Sequence, residues 1–149
     1  MSKGLAVFVF VILLAGGITV AILFLTNPSY QAKQAVEKFY NYEQKAEFAD
    51  SWSMLNSRVQ KKFTKNQYIQ ERSDVILKHF GGEDFSYEIK HRKKLKNWSM
   101  EQGAKPIATV YSMNVVQTYH GQFGNFTMYQ DVFAAKEEGK WTILWNYNK

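Results

Sequence analysis

Cysteine is absent from the 149-residue chain, and proline occurs only as Pro28 and Pro106. Without cysteine there is no disulfide framework, thiol nucleophile, iron–sulfur ligation or lipidated cysteine. The three histidines, His79, His91 and His120, show no H-x-x-x-H or H-E-x-x-H spacing, so no two share a helical face and no zinc centre is expected. Phosphate-cradling glycine motifs are missing as well, and Gly121-Gln122-Phe123-Gly124 reads as a turn. No serine is followed three places later by lysine, and neither K-T-G nor G-x-S-x-G occurs, which removes the acylating-serine apparatus. The sequence therefore predicts no catalytic residue, no metal and no cofactor. A two-domain enzyme is excluded by length.

What is present begins with an uncharged run of 29 residues, Gly4 to Ala32, whose first 22 positions from Leu5 to Thr26 are almost wholly apolar. At about 1.5 Å per residue those 22 positions make a helix of about 33 Å, the thickness of a bilayer's hydrocarbon core. A cleaved signal peptide has a shorter apolar region and a small-x-small site, which Thr26-Asn27-Pro28-Ser29 does not offer. The expected organisation is a short cytoplasmic tail (1–4), a membrane-spanning helix (5–26) and an extracytoplasmic domain (27–149). Orientation follows from Lys3 and the absence of acid in the tail, by the positive-inside rule. An exported domain also agrees with the lack of cysteine.

Beyond the run, Asn27 reads as a helix cap and Pro28 as the first helical residue. Ala32, Ala35, Val36, Phe39 and Ala46 then fall on one stripe, predicting a helix to about Glu47. Asp50 is expected to cap a short second helix through Trp52, Met54 and Leu55, followed by a polar, basic connection over 56–62. Thr64-Lys65-Asn66-Gln67 fits a capping box and opens a third helix, which Gly81-Gly82 stops. After Gly82 the period changes from 3.6 to 2. Phe85, Tyr87, Ile89, His91 and Leu95 alternate with charged residues, and further strands are expected over 107–119, 125–135 and, after the Glu137-Glu138-Gly139-Lys140 turn, from Trp141. Three helices followed by four antiparallel strands predict an α+β domain, helices packed on one face of a bent sheet.

Two groups of residues are candidates for function. Asp131, among Tyr111, Tyr129 and Trp145, marks a ligand site on a concave sheet face, where desolvation raises a carboxyl's basicity. Packing and solvation account for the same residues without chemistry. Lys90, Arg92, Lys93, Lys94 and Lys96 form the sharpest charge cluster, a polyanion-binding patch whose alternate members are expected on the solvent face, where they also protect a sheet edge. With Lys3 set aside, 18 basic residues face 13 acidic ones, a net +5. Outside a bacterial membrane the polyanions are lipid headgroups and anionic wall polymers, and nucleic acid is not expected.

Phe39-Tyr40, Asp50-Ser51-Trp52-Ser53-Met54-Leu55, Phe63-Thr64-Lys65-Asn66-Gln67-Tyr68 and Gly139-Lys140-Trp141-Thr142-Ile143-Leu144-Trp145-Asn146-Tyr147 carry, in order, a resemblance. The chain resembles the nuclear transport factor 2-like N-terminal domain of low-affinity penicillin-binding proteins from Gram-positive bacteria, over nearly all of 28–147. Asn146 stands where that family usually has aspartate. The resemblance implies a cone-like fold and a non-catalytic, membrane-anchored interaction or spacer domain in the cell-wall space, with an envelope protein or wall polymer as partner. The chain ends at Lys149, where the relatives continue into a transpeptidase, so it inherits at most the binding role. Alternatives are a subunit of a type IV secretion or conjugation channel, a small-ligand-binding domain, or the remnant of a longer penicillin-binding protein.

Overall fold

A computed structural model describes residues 3–75, 85–121 and 124–148, the side chains at 3, 6, 21 and 24 excepted. The N-terminal run is a single helix, α1 (Lys3–Thr26), apolar on every side. Asn27 alone separates it from α2 (Pro28–Gln44), accepting from the Ser29 and Tyr30 amides while Pro28 occupies the first turn, as expected. Counted over the described residues, no helix is long and apolar enough to cross a membrane.

Three short helices follow: α3 (Phe48–Ser53), α4 (Ser57–Gln60) and α5 (Lys65–Ser73). Thr64 and Gln67 form the full capping box at the start of α5. The expected end of that helix near Gly81 lies outside the described residues. Three details differ from the sequence reading. Ala46 leaves the helical stripe, because α2 ends at Gln44 and Ala46 takes a left-handed φ of 56°. Asp50 lies inside α3, which Glu47 precedes. The connection over 56–62 contains α4, capped by Asn56 and pinned by buried Val59.

Strands β1 (Phe85–Trp98), β2 (Ile107–Gly121), β3 (Gly124–Glu137) and β4 (Lys140–Trp145) pair antiparallel in chain order, so β1 and β4 are the edges. Glu138 (φ 49°) and Gly139 (φ 80°) make the two-residue turn between β3 and β4, the left-handed pair that matches the twist of a hairpin. Below it, Asn56 N donates to the Ile143 carbonyl and Ile143 N to the Met54 carbonyl, each at 2.9 Å, which fastens the chain between α3 and α4 to β4. The fold is thus α+β, a four-stranded antiparallel sheet with α2 packed on one face.

The core lies between α2 and the sheet. Ala32, Val36 and Phe39 are fully buried against Val115, Val132, Ala134 and Ile143, each large apolar side chain contributing roughly 1.5–3 kcal/mol. Phe39 meets the Trp145 ring edge-on at 6.0 Å, and Phe85 stacks on Tyr119 at 5.1 Å. The expected alternation of β1 holds from Phe85 to Ile89 and then breaks. A bulge between Lys90 and Lys93, with His91 at φ 51°, adds one residue to β1 and moves Leu95 to the opposite face.

Candidate cavity between α5 and the sheet

Between α5 and the sheet, Phe63, Tyr68, Glu71, Arg72, Gln130, Trp145, Asn146 and Tyr147 line an open cavity of about 320 Å³. Behind its Tyr68 and Arg72 lies a buried cluster centred on α2. Glu43, fully buried, follows Ala32, Val36 and Phe39 at spacings of four, three and four, so the helix aims a carboxylate into the core. Both oxygens are occupied. Ser51 Oγ (2.5 Å) and Tyr68 OH (2.8 Å) donate to Oε1, and Arg72 donates Nε (2.6 Å) and pairs a second nitrogen with Oε2. This cluster joins α2, α3 and α5. Burial works against the Arg72 charge, yet the Glu43 carboxylate outweighs it and holds the guanidinium more firmly protonated than usual.

A second network lies beside it on the sheet. Tyr40 OH donates to Gln130 Oε1 (3.0 Å), and Tyr119 OH donates to Oε1 of the fully buried Gln117 (2.9 Å). Burial first, then the nearby Glu43 charge, raises the Tyr40 and Tyr68 phenols far above their ordinary range, so both are neutral donors. Among the described residues the buried Trp145 indole N–H has no hydrogen-bond acceptor, an arrangement costing about 1–3 kcal/mol. Chemically, the cavity offers a partly exposed guanidinium, an amide and aromatic walls. Those suit a ligand with a hydrogen-bond acceptor and an apolar body. Glu43 serves to hold Arg72, since no part of it reaches the cavity.

The four residues expected at a concave face are divided by the sheet. Trp145 lines the cavity, and Tyr111 is buried on the same helix-covered face, against the Trp141 ring at 5.7 Å. Asp131 and Tyr129 share the other face with Asn114 and Val116, opposite which they pair. Asp131 is exposed and accepts from Asn114 Nδ2 at 3.2 Å, while Tyr129 is 70% exposed. Sequence reasoning missed Glu43, Arg72, Gln117 and Gln130. The signal was a polar residue standing on an apolar stripe: Glu43 in α2, Gln117 between Val115 and Tyr119.

The basic residues are all exposed, but the bulge splits them. Lys90 pairs with Asn114 and Lys93 with Ser112 on the outer face, whereas Lys94 and Lys96 pair with Tyr111 and Thr109 on the face that carries α2. Lys90 also bonds Glu88 at 3.0 Å, and Arg92 reaches the Ser29 carbonyl at 3.4 Å. Among the described residues no cluster of His, Asp and Glu suits a metal ion. No family model and no curated protein matches this chain.

Proposed function

We propose that this chain is a single-pass membrane protein holding a non-enzymatic interaction or spacer domain in the cell-wall space, built like the nuclear transport factor 2-like domain of penicillin-binding proteins. The reading rests on the sequence of α1, since the side chains at 6, 21 and 24 are outside those described and the described residues alone fall short of a span. Its sequence carries one charge, Lys3, in 24 residues, a length of about 36 Å. Its described large side chains from Leu5 to Leu25 are 45–68% exposed, and a helix apolar all round is stable only inside a protein core or a bilayer. The hydroxyls of Thr19 and Thr26 bond the carbonyls of Ala15 and Ile22 at 2.8 Å, satisfying each polar group within the helix. A helix–strand domain begins one residue later.

A second reading draws on the cavity, whose part-exposed Arg72 guanidinium and Gln130 amide fit a small acceptor-bearing ligand. One experiment separates the two. In-cell crosslinking of the tagged full-length chain, with membrane purification and mass spectrometry, is expected to recover wall-synthesis or division proteins. Channel subunits would replace the first reading with a secretion role. Recovery of nothing specific would overturn a stable protein partner and favour the cavity.

A further inference from the structure

The bulge in β1 gathers charge at one end of the domain, and that end is where α1 arrives. Gln31 Nε2 donates to the Leu25 carbonyl at 3.0 Å, and its Oε1 accepts from the Trp141 indole at 3.2 Å. Arg92 touches Ser29. Hence β1 and the β3–β4 hairpin both meet the chain within five residues of the last apolar turn of α1. By adding one residue, the bulge places Lys94 and Lys96 on the sheet face that also carries Lys136 and Trp141. Lys136 Nζ lies over the Trp141 ring, 5.3 Å from its centre.

One exposed acid, Glu138 in the β3–β4 turn, stands beside this group, and the other nearby acids are absent or engaged. The first turn of α2 has none, Glu37 pairs with Lys33, and Glu137 is turned to Ser57. Among the described residues no ion pair engages Arg92, Lys94, Lys96 or Lys136. Lysine and arginine donors match the oxygens of a phosphodiester, and a tryptophan with one polar edge suits the boundary between headgroups and acyl chains.

We propose that Arg92, Lys94, Lys96, Lys136 and Trp141 form a docking shelf for the anionic phospholipid headgroups of the bilayer that α1 enters. This rests on the anchor reading and deepens it. The domain lies down on the membrane in anionic lipid instead of swinging on Asn27. Each basic residue near such a surface shifts the docked-to-undocked ratio roughly fivefold.

The absence of cysteine makes the test direct. The full-length chain carrying Lys140→Cys, beside the shelf, or Lys45→Cys, past the far end of α2, is spin-labelled and placed in nanodiscs of phosphatidylcholine with or without phosphatidylglycerol. With phosphatidylglycerol the label at 140 should lose access to a water-soluble relaxation agent at least fivefold, while the label at 45 does not. Adding Arg92→Gln, Lys94→Gln and Lys96→Gln, all at exposed positions, should restore access. Equal access in both lipids, or protection appearing only with a soluble polyanion, overturns the shelf. A chain that fails to elute with the discs overturns the anchor beneath it.

Discussion

Glu43 is the residue on which α2, α3 and α5 converge, and its neighbours give the domain a sharp alkaline limit. Tyr68 donates to it directly, and Tyr40 is buried nearby; both phenols keep their protons well above pH 10 in the folded state. In the unfolded chain they titrate near pH 10. Between those values the folded state binds more protons, so the stability they contribute is complete below about pH 10 and is lost as pH rises. Two such groups give a slope of about 2.7 kcal/mol per pH unit. Urea denaturation at pH 9, 10 and 11 should show this fall, and Tyr68→Phe should halve the part due to the phenols. An unchanged slope in the variant would place the alkaline transition elsewhere. At this scale the sequence was only partly legible. A glutamate three residues after Tyr40 reads as a solvated charge until the stripe through Ala32, Val36 and Phe39 is extended to it, and its partners lie 8, 25 and 29 residues away.

Among the elements, α4 shows why local signals run out. Four residues cannot nucleate a helix unaided. The Glu137 carboxylate, arriving from the end of β3, accepts from the Ser57 amide (2.9 Å) and hydroxyl (2.5 Å) and occupies donors that no sequence-local partner reaches. Glu137→Ala should therefore cost about 1.5–3 kcal/mol, since hydrogen bonds to a charged group are worth roughly that net. Hydrogen exchange should quicken over 57–60 while α5, closed by its own capping box, keeps its protection. Equal quickening in both would mean that Glu137 acts on the whole domain. The elements read correctly were those whose causes are local: the Asn27–Pro28 start, the Thr64–Gln67 box, the Glu138–Gly139 turn. Strand β1 was read with the wrong faces beyond Lys90, because a bulge leaves no mark on the alternation except the place where it fails.

For the whole molecule, the order of helices before strands was enough to give the α+β class, since helical and strand periods do not overlap along the chain. The grouping at the cavity and the shelf was hidden, because each depends on strand register and on where α2 crosses the sheet. The membrane reading belongs to this scale too, and Lys3 sets its direction. With the tail inside, position 45 lies outside the membrane. In intact cells stripped of wall, a membrane-impermeant maleimide should label Lys45→Cys, and Ser2→Cys should react only after lysis. The opposite pattern would place the domain in the cytoplasm and remove wall components as partners, leaving the headgroup shelf intact, since anionic lipid is available to it on that side as well. Release of the chain from membranes by alkaline carbonate would instead show that α1 does not hold it, and no assignment of sides would survive.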